Sequence, residues 1–491
     1  MRPDLNSIHN YKISRKLSPL AQNKQLMQYL EEITVYSTSK KIIKDISSLL
    51  SMPEKVIKFE FKYYFFRSFR NSLNIFSLQF NYLKILRSYI KIYFIFIYLL
   101  LYSNKKKKVK SYDIIIDDVD FKAEYLRTKE VGKKFKNYLL IGSLKIKDEA
   151  YYNFRYKNID LKLIFETFNF NFFKKVNKYF YLSIKNKINI LDIILYLSKL
   201  NIKYEYIFRN FKSKYLFQER HTHTSKIKQH LFKKNGGLIT SSIQKNIIQL
   251  NAPGSFCSVD VLFSLGKKTH EKLQLIGADI KKIYPVGSLY LNVNYFNKPK
   301  IQNSNKSHYD YDIINFASRM DHFQDTHENF IDDWYEHFSW LAKLSNDFPS
   351  LKIAIKQRTR NNLDKDKRLN KILENSNVKI IIGENELDRS TSYNYCFNSK
   401  VLCTWTSTVA FEMIGHKIPC FIMDPNGRNE SFFPNDNFNN KFKVKSYAQF
   451  KSHAIDTLEG KKIFNFDDSD DYCINSENTI NRITSYLEKI K

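Results

Sequence analysis

Alternating strand and helix signals predict an α/β chain of two parallel-sheet domains with a helical N-terminal extension. Three observations carry this expectation. Short apolar runs bounded by polar residues recur from Tyr112 to Asp424, as strands buried on both faces require. Amphipathic helical stretches separate them, with short turns between. A polar, unpatterned stretch at 298–308, KPKIQNSNKSH, divides the series in two. The expected divisions are a basic helical region at 1–110, a first α/β domain at 111–300 and a second at 310–491.

The chain has 491 residues, enough for two or three domains. Its net charge of +31 ordinarily points to nucleic acid or an anionic membrane. Lys, Asn, Ile, Phe and Tyr are all abundant while Gly numbers only 12, so part of the lysine excess reflects A/T-rich codon usage. The basic residues are spread along the chain without a nucleic-acid module, and no nucleic-acid partner is expected. The five cysteines, Cys257, Cys396, Cys403, Cys420 and Cys473, form no C-x-x-C pair. Neither a disulfide framework nor a zinc site is expected, which suits a reducing cytoplasm. The opening MRPDLNSIHNYKISRKL lacks the apolar centre of a signal peptide.

Residues 1–110 read as helical, polar at first and then strongly apolar. Ile92 to Leu101 is an apolar run about half the ~20 residues a bilayer span needs. Lys84, Arg87 and Lys91 precede it and Lys105 to Lys108 follow. Segment 92–108 is therefore a candidate for lying in a membrane interface with its lysines on anionic headgroups. Burial as a core helix is the alternative.

Tyr112–Asp117 and Tyr138–Gly142 read as the first strands. Residues 187–207 suggest a helix and then a strand. The next strand ends in Gln218-Glu219-Arg220-His221, putting a carboxylate and an imidazole where α/β folds place chemistry, with an ordinary loop salt bridge of Glu219 as the plainer reading. His221 and His223 lack further ligands at a familiar spacing, so no metal is expected. A helix at 225–234, strands at 236–243 and 258–264, a helix at 266–277 and a strand at 282–287 complete the domain. The last strand leads into Gly287-Ser288.

The second domain opens with a strand at 311–318. A helix at 332–348 follows, with Trp334, Phe338, Leu341 and Leu344 on one face. Strands at 352–356 and 378–382 come next, the first ending in Gln357-Arg358-Thr359-Arg360. Val401 to Asp424 then reads as strand, hydroxyl-rich turn, helix, Gly-x-Lys-x-Pro turn and strand. Thr406, Ser407 and Thr408 sit where the helix begins, where free N–H groups and the dipole attract phosphate. Glu412 lies one turn on, where a carboxylate could accept from the hydroxyls of a ribose or sugar. An ordinary N-cap, a solvated glutamate and a C-cap at Gly415 are the plainer reading. The last fifty residues read as helices.

Residues 258–425 resemble GT-B nucleotide-sugar glycosyltransferases of the bacterial surface-carbohydrate and capsule type, related to the glycerophosphotransferases of wall polymers. The resemblance rests on Pro285-Val-Gly-Ser288, Ile353-Ala-Ile-Lys356, residues 392–402, and Thr406-Ser-Thr408 with Glu412 and Gly415-His-Lys-Ile-Pro419. Where those relatives read Lys-x-His-Pro, this chain has Gln357-Arg358 after Lys356. The resemblance implies two Rossmann-like domains facing a cleft, with Gly287 and Ser288 at the interdomain crossing. It implies that Lys356, Arg358, Thr406, Ser407, Thr408 and Glu412 bind the donor. Glu219 or His221 would accept the acceptor's proton. The nucleotide-sugar would be a substrate, no cofactor would be needed, and the acceptor would be a saccharide or lipid-linked saccharide. The expected place is the cytoplasm, peripheral to the inner face of the membrane. A glycerol- or ribitol-phosphate transferase, a sugar-nucleotide epimerase and a non-catalytic binding protein share this architecture and stay open.

Overall fold

The computed structural model describes residues 16–17, 19–71, 81–102, 109–156, 159–185, 189–246, 253–297, 310–317, 330–357, 363–382, 390–427, 442–461 and 463–490. The expected linker at 298–308, Arg358, Arg360 and Lys105 to Lys108 lie outside them.

Two parallel sheets organise the chain. The first holds β1 (Lys110–Asp117), β2 (Tyr138–Gly142), β3 (Tyr151–Asn153), β4 (Phe211–Gln218), β5 (Ile239–Ile243), β6 (Ser258–Ser264) and β7 (Asp279–Pro285). Their order is β3-β2-β1-β4-β5-β6-β7. The second holds β8 (Tyr311–Phe316), β9 (Ile353–Lys356), β10 (Lys379–Ile381), β11 (Ser399–Thr404), β12 (Cys420–Met423) and β13 (Lys443–Val444). Their order is β10-β9-β8-β11-β12-β13. Both sheets are doubly wound, with a reversal of strand order between their first and fourth strands. In doubly wound sheets ligands bind at the carboxyl ends of the strands at such a reversal. The protein is thus an α/β chain of two Rossmann-like domains, the GT-B class, with added N-terminal helices.

Helices Pro19–Val35, Ser37–Leu50 and Glu54–Asn71 are not a separate body. Leu30, Ile46 and Phe61 share one core with Ile115, Leu216 and Phe232 of the first domain. Buried Glu60 fastens the join, accepting from Ser225 Oγ at 2.6 Å and Ile227 N at 3.3 Å. The strand expected near residue 207 is instead the end of a helix, Ile190–Asn210. That helix is covered on nearly every side, so its apolar residues show no one-faced periodicity, and the strand begins at Phe211. Of the helix expected at 266–277, only Glu271–Leu275 forms.

The end of the chain also departs from the expected boundary. Helix Thr479–Glu488 leaves the second domain and packs Ile480, Ile483 and Leu487 against Ile114, Phe217 and Phe263 of the first. The segment leading to it runs between the domains. Ile474 N donates to Leu265 O at 3.0 Å, and Lys267 N to Asp470 O at 2.9 Å. Two glycines allow this approach. A Cβ on Gly415 would lie 2.0 Å from Cys473 O. Gly287 has φ +92°, and a Cβ there would meet Ile474 O at 2.8 Å. Gly415→Ala should therefore destabilise the protein by about 1–3 kcal/mol through overpacking. Thermal unfolding checks this, and an unchanged midpoint would mean that Cys473 is not seated against the helix.

Candidate functional site

In the second domain, β11 ends at Thr404, whose Oγ1 donates to Phe316 O of β8 at 2.7 Å and closes the switch point. Helix Thr408–Gly415 starts four residues on. Ser407 is its N-cap, with extended backbone and Oγ accepting from Val409 N at 3.3 Å. Thr406 is buried, while Ser407 and Thr408 are half-buried. Lys356, at the end of β9 on the same edge, is buried and donates from Nζ to Ile382 O at 3.2 Å. Its ammonium lies 5.6 Å from the centre of the Tyr395 ring.

Glu412 faces inward. Its carboxylate accepts from Ser288 Oγ, and at 3.1 Å from Tyr393 Oη. The side chain is 1% exposed. It therefore joins helix Thr408–Gly415 to the segment that crosses between domains. That segment alternates its allegiance: Val286 and Leu289 belong to the first core and Leu291 to the second. Ser288 also caps the short helix Leu289–Leu291, and its backbone N–H donates to Ser476 Oγ at 3.0 Å.

In the first domain, the switch point between β1 and β4 is strongly charged and almost entirely enclosed. Lys228 Nζ donates to Asp117 Oδ2 at 2.9 Å and to Asp118 Oδ2 at 2.7 Å. Burial opposes the lysine's charge, but the two aspartates outweigh it and hold its pKa above the ordinary value. Glu219 follows β4 directly and is fully buried. Its Oε1 accepts from Arg127 Nε at 2.7 Å, while Oε2 has no hydrogen-bond partner among the described residues. The neighbouring Gln218 amide, also fully buried, is likewise unpartnered there. Burial lowers the pKa of Arg127, but Glu219 and then Tyr290 more than reverse this. The guanidinium sits 3.7 Å from the centre of the Tyr290 ring. Arg220 binds Glu124 through Nε and Nη2.

His221 is 2% exposed, and its Nδ1 accepts from Lys245 N at 3.2 Å. Burial, then the charge of Lys245, pulls its pKa down to about 4. The ring is neutral at pH 7, with its proton on Nε2 because Nδ1 accepts.

The fold thus joins Glu412 to Ser288, and Glu219 to Tyr290 through Arg127, within one short stretch of chain. Glu219 and His221 lie at the first domain's switch point, and Ser407, Thr408 and Lys356 at the second's. Arg127, Glu124, Lys245 and Tyr290 were absent from the sequence reading. A signal for two of them was present: in helix Lys122–Gly132 the buried positions 124, 127, 128 and 131 form one face. Charged residues on a core-facing stripe mark a buried ionic network.

No family model matches the sequence, and no curated protein matches it. Solved structures do resemble it. The Methanocaldococcus jannaschii UDP-GlcNAc 2-epimerase, solved with UDP-GlcNAc and UDP, aligns over 77% of this chain and 100% of its own, at 13% identity and TM-score 0.44. The Neisseria meningitidis UDP-GlcNAc 2-epimerase bound to UDP-GlcNAc aligns over 77% and 100%, at 10% identity and TM-score 0.44. At that distance the likeness is one of architecture.

Two outcomes follow from the geometry. Arg127→Met would strand the Glu219 carboxylate in a buried site and should cost about 3–5 kcal/mol in chemical unfolding, more than Arg220→Met at the more open site. Acid should also weaken the fold through His221. Its folded pKa of about 4 lies below the ordinary 6.5, so the unfolded chain binds more protons between those values. Its contribution is complete above pH 6.5 and is lost progressively down to pH 4, by up to about 3 kcal/mol. His221→Gln should flatten that part of the stability–pH curve.

Proposed function

We propose that this chain is an enzyme acting on a nucleotide-activated sugar. The observation that carries the reading is the pairing of the two switch points. The second domain's crevice offers a hydroxyl-rich helix N-terminus at Thr406, Ser407 and Thr408. The first domain's offers a buried carboxylate with an unpartnered oxygen. Diphosphate would lie on the helix N-terminus, where backbone N–H groups and hydroxyls donate to it. Lys356, on the same sheet edge, would add positive charge as the sugar–phosphate bond breaks, with Arg358 beside it in sequence. Glu219, held by Arg127, would handle the proton.

Two reactions suit this assignment. Transfer to a saccharide or lipid-linked acceptor fits the sequence resemblance. Epimerisation of the bound sugar needs no acceptor. It is also the activity named for the solved structures of similar architecture. We place epimerisation first. Proton NMR of UDP-GlcNAc with the protein separates the two: the C2 epimer appears without released UDP under epimerisation, whereas transfer releases UDP only with an acceptor.

Binding is tested first by thermal shift against UDP, CMP, CDP, GDP and ADP, with and without magnesium. A nucleotide at 100 times its dissociation constant should stabilise by ~2.7 kcal/mol. A shift with the cytidine nucleotides alone would point to a glycerol- or ribitol-phosphate donor, and none at all to a non-catalytic protein. Ser407→Ala with Thr408→Ala should remove the nucleotide-dependent shift. The double variant should otherwise lose only the ~1 kcal/mol of the N-cap. If it still responds to nucleotide as the wild type does, the site assignment is wrong.

A further inference from the structure

Helix Tyr82–Tyr102 is, among the described residues, the one long and apolar enough to cross a membrane. Its packing rules out that placement in this fold. Ile85, Ile92 and Leu99 are each 1% exposed and belong to the first domain's core. Tyr89 and Tyr93 both donate to Asn177 of helix Phe170–Lys185, at 2.8 and 2.9 Å. One side of the helix is therefore fixed to protein along its length.

The other side is uncovered. Leu83, Leu86, Ile90, Phe94, Ile97 and Leu101 are all exposed, with Leu83 and Leu101 at 74% and Phe94 at 66%. At 100° per residue these six fall within about 40° of a single line. Over 21 residues that line is about 30 Å long. Soluble surfaces rarely carry so continuous an apolar stripe. Phe165, exposed and 6.3 Å from the Phe96 ring, widens it on the neighbouring helix Leu161–Thr167.

The charges say what covers it. Lys84, Arg87 and Lys91 are exposed and lie about 60–120° from the stripe, where their long stems can reach upward from an apolar layer. Helix Tyr82–Tyr102 contains no carboxylate, and neither does helix Phe170–Lys185 beside it. Along its own helix the apolar stripe is edged by cations alone, and Glu166, exposed beside Phe165, is paired with Arg209 at 2.7 Å; this matches the two layers of an anionic bilayer surface, acyl chains below and phosphates at the rim. A second copy of this chain would instead bring these cations together.

We infer that the first domain docks in the plane of an anionic lipid bilayer through the exposed face of helix Tyr82–Tyr102. This stands independently of the nucleotide reading. The test is sedimentation of the full chain with phosphatidylcholine vesicles, with and without phosphatidylserine. Wild type should pellet with the serine-containing vesicles and be released by high salt. Ile90→Asp with Phe94→Asp should weaken this at least tenfold while leaving the unfolding midpoint and any nucleotide shift unchanged. The triple change Lys84→Gln, Arg87→Gln and Lys91→Gln, which keeps the stripe, should weaken it on the order of 100-fold. Wild type that stays in the supernatant, or pellets equally with neutral vesicles, would overturn the inference. So would a lipid-free dimer that the aspartates dissociate with no change in vesicle binding.

Discussion

The passage of Tyr472 to Thr479 between the two domains is the constraint on which the rest depends. A backbone can come this close to a helix only where no Cβ intervenes, and Gly415 supplies that gap against Cys473. The same segment meets Gly287 on the first domain's side and receives Asn292 Nδ2 on Ser476 O at 2.8 Å. Thr479 then donates to Val286 O at 3.0 Å as the terminal helix turns onto the first core. Two domains that each fold around their own sheet are thereby bound by three strands of chain: the segment after β7, the helix of residues 408–415, and the returning C-terminus.

This changes what Glu412 does in the fold. A carboxylate one turn into a helix whose N-terminus faces a crevice looks, in isolation, like a ligand for sugar hydroxyls. Here Ser288 and Tyr393 occupy it. Ser288 is two residues from Tyr290, which lies against the guanidinium that holds Glu219. The helix of residues 408–415 and the Glu219 carboxylate are thus referenced to the same turn, which fixes their separation better than two independent loops could.

Much of this was legible in the sequence because buried parallel strands and one-faced helices leave strong patterns. Tyr138–Gly142 and Ser258–Ser264 are such strands, and the helix around Trp334 and Phe338 is such a helix. The reading failed where burial was two-sided or partners were remote. Residues 190–210 are covered all round, so periodicity could not separate helix from strand. Arg127 finds Glu219 across 92 residues, a pairing no local pattern encodes. The topology is what turned Glu219 from a loop carboxylate into one at a switch point.

The first domain's charges make a final point about cost. Lys228 with Asp117, and Arg127 with Glu219, are removed from water almost completely. Well-packed apolar residues of similar size would commonly hold a fold as firmly or more so. Were these pairs only structural, nothing would favour one edge of the sheet over the other. Yet both follow the carboxyl ends of β1 and β4, where a doubly wound sheet opens its crevice. There, too, the Gln218 amide and one oxygen of Glu219 are left without partners among the described residues. Buried polar atoms of Ser198 and His337 are also without hydrogen-bond partners among the described residues, so it is the position of Gln218 and Glu219 at a switch point, not unmet polar capacity alone, that supports the proposed substrate site.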